Sequence, residues 1–510
     1  CMVSNSNTTL AKNTIFLSMR MIFVLFVSLY TSRVFLRVLG IEDFGINNVV
    51  CGFVTMFSFL NASLANGIQR YYNSEMSTSG KDGVTLVYNS ALLIQGCIAI
   101  IVVALLEIFG IWYIKNGMVI PIERLDTAMW IYQFSIISSV FIIMQTPYSA
   151  AVMAYEKMNC YAIIGIIDVL LKLGLALFIP YTSGDHLLFY GAMMLCISMI
   201  SFFLYVGYSK NKFPALRFKC SIQRKLLENM ITFSGWNFFG TFACMIREQG
   251  LNMVLNLFFG PIVNAARGIA YQVSSALQGF VSNISVAAKP QMISAFVSGD
   301  SGRTIKLMYS MSKLSFFILY IMAVPVCLEI DYILYLWLGN FIPDHTADFV
   351  ILVILINFMN NLNAPLSNVV YATGRMRNYE VTFSLINLLI IPVAYFVLKL
   401  GFPPEAAFLS YFFMTIFVQL GCLLVLRTIV DISLREYVFK MIVPLIVVSL
   451  FGLPLPFIVS HIMDIGFLRL CCVTLVSIVT SSLSFYFIGL DTKEKYIVQE
   501  VINKITRYFR

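Results

Sequence analysis

Apolar runs of about twenty residues recur along almost the whole 510-residue chain, divided by short polar connections. Coiled as a helix at about 1.5 Å per residue, such a run crosses a hydrocarbon core of about 30 Å. Windows of this kind fall near 13–38, 44–68, 84–112, 128–153, 159–180, 186–208, 229–259, 262–288, 307–330, 347–371, 380–400, 404–426, 437–461 and 466–488. The seventh and eighth lie so close together that a miscount would fall there. A transmembrane β-barrel would instead alternate polar and apolar positions in segments of about ten residues, and no such segments occur. The pattern predicts an all-α, polytopic membrane protein of about 14 transmembrane helices.

Composition strengthens that picture. Hydrophobic residues make up 59% of the chain and charged residues 12%, half the charge of an average soluble domain at about 25%. The first apolar run is a full-length span and not the short core of a cleavable signal peptide. The eleven cysteines are scattered through apolar spans without metal-ligand spacing, and the three histidines (His186, His345, His461) are dispersed. No metal and no cofactor is expected.

Lysine and arginine orient the chain, because they concentrate in cytoplasmic loops. A cytoplasmic N-terminus puts 24 of the 34 basic residues inside, including Lys210, Lys212, Arg217, Lys219, Arg224 and Lys225 in one connection. Arg33, Arg37, Lys115, Arg124, Lys399 and Arg469 fall outside, and Arg20, Lys172, Arg247 and Arg267 stay embedded. Both termini are therefore expected on the cytoplasmic side. The final stretch KYIVQEVINKITRYFR gathers apolar positions on one helical face and basic residues on the other, as a helix lying along the inner membrane surface would.

The chain repeats itself. PYSAAVMAYEKMNCY (147–161) and PLSNVVYATGRMRNY (365–379) share P-x-S-x4-A-x2-[KR]-M-x2-Y at an offset of 218. Pro147 matches Pro365, Lys157 matches Arg375 and Tyr161 matches Tyr379. Gly40 and Gly260 each close the first span of their half at an offset of 220. Six spans per copy is an even number, so both copies enter from one side, and the pseudo-two-fold axis runs along the membrane normal. The expected organisation is an N-lobe of six helices (1–208), a basic cytoplasmic linker (209–228) and a C-lobe of six helices (229–435). An extra C-terminal helix pair (436–490) and the amphipathic tail (491–510) follow.

RVLGIEDFGINNVVCGFV (37–54), NGIQRYYN (66–73) and REQGLNMVLNLFFGPIVNAARGIAYQV (247–273) resemble the Wzx-type polysaccharide flippases of the multidrug/oligosaccharidyl-lipid/polysaccharide (MOP) superfamily. The LG-x-x-DFG and NAARG stretches carry the resemblance, which covers spans 1–12. It implies a flippase in the bacterial cytoplasmic (inner) membrane. The expected cargo is undecaprenyl-pyrophosphate-linked oligosaccharide repeat units for O-antigen, capsule or exopolysaccharide. Membrane lipids, a polysaccharide polymerase and glycosyltransferases are the partners it implies, with no nucleic acid and no enzymatic activity.

Four embedded cations, Arg20, Lys172, Arg247 and Arg267, stand against two embedded acids, Asp168 and Glu248. An arginine at the centre of a span costs about 2.5–3.5 kcal/mol on insertion scales, so the excess needs a reason. A pyrophosphate supplies one, since guanidinium forks bind phosphate oxygens in pairs. At 100° per residue Asn237, Thr241, Glu248, Asn252 and Asn256 share a sector of about 100°, a polar stripe suited to a water-filled cavity that would take the oligosaccharide. Arg247 projects about 100° away from Glu248, which argues against their simply neutralising each other. Asp168 and Lys172, spaced i, i+4, are either a coupling pair or a self-contained structural bridge. The asparagines of NFMNNLNAP (357–365) either line the cavity or hydrogen-bond between helices.

Two other functions compete. A MATE-like small-molecule antiporter exporting organic cations would favour carboxylates, the opposite sign. A membrane-embedded glycosyltransferase or polymerase would need a catalytic carboxylate motif and a sizeable loop, yet no D-x-D occurs. No phosphate-binding G-x4-G-K-[ST] loop is present either, which excludes an ATP-driven pump within this chain.

The charge distribution makes a direct prediction. In a cysteine-free background, Lys219→Cys and Lys493→Cys will react with membrane-impermeant maleimide only from the cytoplasm. Asn116→Cys and Asp344→Cys will react only from outside. Labelling of position 219 from outside overturns the orientation.

Overall fold

The computed structural model describes residues 2–57, 80–155, 157–218, 224–297, 300–373, 376–430 and 432–492, with isolated positions at 68–76 and 494–499. Helix dominates, and no strand occurs among the described residues. The longer helices are α1 (Met2–Thr55), α2 (Gly80–Leu105), α4 (Leu125–Ala154), α5 (Met158–Phe178), α6 (His186–Lys212), α7 (Arg224–Phe259) and α8 (Pro261–Val297). They are followed by α9 (Ser301–Leu328), α11 (Thr346–Thr373), α12 (Arg377–Lys399) and α13 (Glu405–Arg427). Shorter helices are α3 (Ile111–Asn116), α10 (Ile330–Leu338), α14 (Leu434–Tyr437), α15 (Val443–Gly452) and α16 (Pro454–Ile462), and α17 (Phe467–Ser484) ends the series.

Eleven helices among the described residues are long and apolar enough to cross a membrane, and the chain is a multi-pass membrane protein. The count differs from the expected fourteen at identifiable places. The first two windows run on as one element, α1, through a break at Gly40, and residues 58–67 lie outside the described residues. The seventh and eighth windows form α7 and α8 but are not among the eleven. These are the helices that carry Arg247, Glu248 and Arg267. The terminal tail lies largely outside the described residues.

By internal packing the chain divides into two compact units. The first comprises 1–268, 340–345 and 387–407, and the second 269–339, 346–386 and 408–510.

In the first unit the LG-x-x-DFG stretch has a physical explanation. Gly40 adopts φ 83° and ψ 168°, a backbone state that a Cβ penalises, so the helix breaks there and restarts. Asp43, just past the break, pairs with Arg124 Nη2 at 2.8 Å, and Arg124 Nη1 reaches Asp185 Oδ2 at 3.0 Å. Thr127 Oγ1 donates to the same Asp185 oxygen at 2.6 Å. The other Asp185 oxygen accepts from Leu187 N and Leu188 N, capping α6. One cluster thus joins the restart of α1 to the starts of α4 and α6. Gly45 then packs on backbone: a Cβ built there would lie 1.9 Å from the Pro261 carbonyl oxygen.

The second unit closes on a core that includes Met308, Leu366, Val369, Cys422, Leu426 and Met441. Lys313, counted among the cytoplasmic charges in the sequence, is 3% exposed within α9 and pairs with Glu494 at 3.3 Å and Asp491 at 3.4 Å. Arg469 of α17 donates to Glu329 Oε2 through Nε and Nη2, at 3.0 and 2.8 Å. That pair anchors the terminal helices to the end of α9.

Both signatures of the repeat have local counterparts. Gly260 has φ 75° and Gly40 φ 83°, and Pro147 and Pro365 each lie inside a helix near its end, in α4 and α11.

The glycines and the acid cluster of the first unit each yield a prediction. Gly45→Ala must push one helix backbone off another and will cost on the order of 3 kcal/mol. Gly40→Ala meets open space but must hold a backbone region that is essentially glycine-only, at a cost of about 1–3 kcal/mol. Thermal unfolding in detergent will show a loss for each, and an unchanged midpoint in Gly45→Ala contradicts the close contact. The second prediction concerns acid. Burial raises the Asp185 carboxyl, but hydrogen bonds from Thr127, Leu187 and Leu188 and the Arg124 charge outweigh it and hold the group below its usual range. A depressed folded pKa gives stability that is present above the unfolded carboxylate value of about 3.9 and is lost as pH falls through the folded one. Asp185→Asn will flatten the stability profile below pH of about 4. An unchanged acid limb in that variant contradicts the assignment.

Candidate anion site

α7 and α8 bring their charges together beside α12. Glu248 Oε1 accepts from Arg247 Nη2 at 2.7 Å and Nε at 3.2 Å. Glu248 Oε2 lies 3.4 Å from Arg267 Nη2, which also donates to the Glu248 backbone carbonyl at 2.7 Å. Arg247 Nη1 donates to Asn387 Oδ1 on α12. Both guanidinium side chains are only 8% exposed, while the Glu248 side chain keeps 24%. Two nearly buried cations therefore share one carboxylate, and these three side chains together carry a net positive charge.

This arrangement corrects the helical projection, which set Arg247 and Glu248 about 100° apart and unpaired. Cβ directions do differ by that angle, but an arginine carries its fork several bonds beyond Cβ and bends back over its neighbour. Asn387 was also missed. Its only signal is being the one asparagine in the apolar run SLINLLIIP, too common a feature to single out.

Asn252 and Asn256 occupy a different environment from the water-filled stripe expected of them. They are 2% and 0% exposed and belong to a network centred on Asn264 of the NAARG stretch. Asn264 Nδ2 donates to Asn252 Oδ1 at 2.7 Å and to its carbonyl at 2.8 Å, and Asn264 Oδ1 accepts from Asn256 at 3.0 Å. Asn256 Oδ1 accepts from Val119 N at 2.9 Å, and Asn252 Nδ2 reaches the Asn48 carbonyl at 3.3 Å. These amides tie α7 to α8, to α1 and to the Val119 loop. Gly268 completes the stretch: a Cβ there would meet the Asn48 side chain at 2.7 Å. NAARG thus places an amide hub, a buried arginine and a close helix contact within five residues.

Lys172 Nζ meets Asp168 Oδ2 at 2.7 Å, and Ser201 Oγ donates to Asp168 Oδ1 at 3.1 Å. The pair neutralises itself on α5, about a third exposed, apart from the α7–α8 cluster. The Arg20 side chain lies outside the described residues. In the second unit Asn357 donates to Ser274 Oγ at 2.6 Å and Asn363 accepts from Tyr379 Oη at 2.7 Å, so these two asparagines bond between helices. Among the described residues no cluster of histidine, cysteine and carboxylate could hold a metal ion.

Chains of known structure share the fold. A lipid II flippase, MurJ, in an inward closed conformation superposes with a TM-score of 0.71 at 15% identity, covering 94% of this chain and 100% of that one. An inward-facing multidrug resistance MATE family transporter of the MOP superfamily gives 0.68 at 13% identity, covering 82% and 97%. A MOP superfamily transporter from Pyrococcus furiosus, described by the reverse polarity of its binding pocket, gives 0.56 at 14%, covering 82% and 95%. A sequence comparison with curated proteins finds no match. The profile of one family does match, over residues 10–296. With more than half of its length so matched, the chain belongs to the polysaccharide biosynthesis protein family.

Proposed function

We propose that the chain is a flippase carrying undecaprenyl-pyrophosphate-linked oligosaccharide repeat units from the cytoplasmic to the periplasmic leaflet. The observation that carries this reading is the shared carboxylate. Two guanidinium groups, each nearly withdrawn from solvent, divide Glu248 between them as counter-charge. An arriving diphosphate offers them more negative charge and better-matched oxygens than one carboxylate does. The partial exposure of Glu248 suits a group that is displaced when cargo binds. Family membership and a fold shared with a lipid II flippase support the same reading. An exporter of organic cations would need the reverse balance at this site. Arg20 is proposed to join Arg247 and Arg267 in contacting the anion, and both chain termini are proposed to face the cytoplasm.

The test is display of surface glycan in a strain lacking its own flippase, with abundance checked by blotting. Arg247→Gln and Arg267→Gln keep polarity and two N–H donors but remove the charge. Each will lower display by about tenfold or more at normal abundance, the loss of one charge-assisted contact. Lysine at either site will restore some of it, through charge without the fork. Glu248→Gln will reduce abundance instead, because it removes the counter-charge that two buried cations share. Arg20→Gln will behave as the other arginine variants do. Full display by both Arg247→Gln and Arg267→Gln removes the cluster from transport.

A further inference from the structure

Past Gly40, α1 presents two different faces. Asn48 and Gly52, one turn apart, abut Gly268, Gln249 and Asn252 on the side of the arginine cluster. Asn47, Cys51, Val54 and Thr55 recur at helical spacing on another face. They border a cavity of about 270 Å³ whose remaining wall comes mainly from α4 and α6. None of the lining residues is charged.

The hydrogen-bond directions in that wall define what it can hold. Ser139 donates to the Ile136 carbonyl at 2.7 Å, Ser198 to Met194 at 3.1 Å and Thr55 to Gly52 at 2.8 Å. The Cys51 thiol lies 3.2 Å from Asn47 Oδ1, to which it donates, and its sulfur is 3.3 Å from Ser135 Oγ. Three hydroxyls of the wall thus donate to backbone carbonyls and keep lone pairs with which to accept, while the Asn47 amide and the Ser138 and Tyr190 hydroxyls add N–H and O–H groups to the same lining. An anion would be desolvated there with no positive charge to offset the loss. A cation would be desolvated with no counter-charge. A purely apolar guest would leave the remaining hydrogen-bonding capacity of these polar groups unused. What fits is an uncharged molecule with several O–H or N–H donors on one edge and a C–H surface on the other. Val54, Ile131, Ile142 and Met194 supply the apolar side, with Phe57 and Tyr190 as aromatic surface. The volume lies just below the range of about 300–1,000 Å³ for drug-sized pockets, so it suits one ring and not an oligosaccharide.

We infer that this cavity between α1, α4 and α6 binds a single neutral sugar residue. The inference rests on the flippase reading for its biological setting, with α1 as the wall between a sugar site on one face and the arginine cluster on the other.

Cys51 supplies the readout in purified full-length protein. Alkylation by N-ethylmaleimide is followed by peptide mass spectrometry, with the exposed Cys97 and Cys196 as internal references. The probes are the methyl glycosides of glucose, galactose and N-acetylglucosamine, against inorganic pyrophosphate and cyclohexanol. At least one glycoside will slow Cys51 several-fold while leaving the reference cysteines unchanged, and neither control will do so. Ser139→Ala with Ser198→Ala will raise the glycoside concentration required, by about fivefold for each hydroxyl removed. Binding of the tritiated glycosides to wild-type and doubly substituted protein gives the same ranking without reliance on thiol reactivity. Absence of glycoside binding in both measurements, or equal protection by cyclohexanol or pyrophosphate, overturns the proposal. Neither measurement requires flipping. An empty cavity alongside lost display in the arginine variants sinks the sugar site alone. Glycoside binding alongside full display in those variants upholds the cavity and sinks the transport role of the arginines.

Discussion

The Glu248 carboxylate supplies counter-charge to two guanidinium groups whose side chains are each almost withdrawn from solvent. Much of the first unit is arranged around that constraint. Inside a membrane no water is at hand to complete a polar group, so each buried donor needs an acceptor from the protein itself. Arg247 finds Glu248 and Asn387, Arg267 finds Glu248 twice, and the amides of Asn252, Asn256 and Asn264 complete one another. These bonds fix how α7 and α8 meet, and the glycines admit the close approach of α1 to both.

The two stretches that carry the family resemblance meet at this junction. Gly45 of LG-x-x-DFG leaves room for the Pro261 carbonyl, and Gly268 of NAARG leaves room for Asn48. Asp43 works at a different place, joining three helix starts through Arg124 and Asp185. Each motif thus combines a backbone function with an electrostatic one, and this explains why neither reads as an ordinary transmembrane sequence.

Legibility in the sequence followed the range of the interaction responsible. The helices were legible because a run of twenty apolar residues has one stable form in a bilayer, and Gly40 and Gly260 stood out as the points where such a run closes. Lys172 with Asp168 was legible as a possible local pair, since four residues on one helix decide it. Arg247 with Glu248 was not, because a helical projection records Cβ directions and ignores the reach of a long side chain. The partners of Asn252 and Asn256 come from three other places in the chain, Asn48, Val119 and Asn264, so the stripe was visible while its use was not. The cavity beside Cys51 left no sequence trace, since serines scattered in apolar spans look unremarkable until packing brings them around one volume.

The adjacency of Arg247 and Glu248 bears on how the protein is made. Their ion pair lies within a single helical turn, so it can form as soon as that turn leaves the ribosome. Asn387 is 140 residues further along the chain, on the order of ten seconds later at typical elongation rates of about 5–20 residues per second. Through that interval the insertion machinery handles a pair that is already neutralised. Arg267, 19 residues behind Glu248, arrives next to a carboxylate that is already placed. The order of residues thus lets a costly set of charges pass into the bilayer in stages, each with a partner at hand.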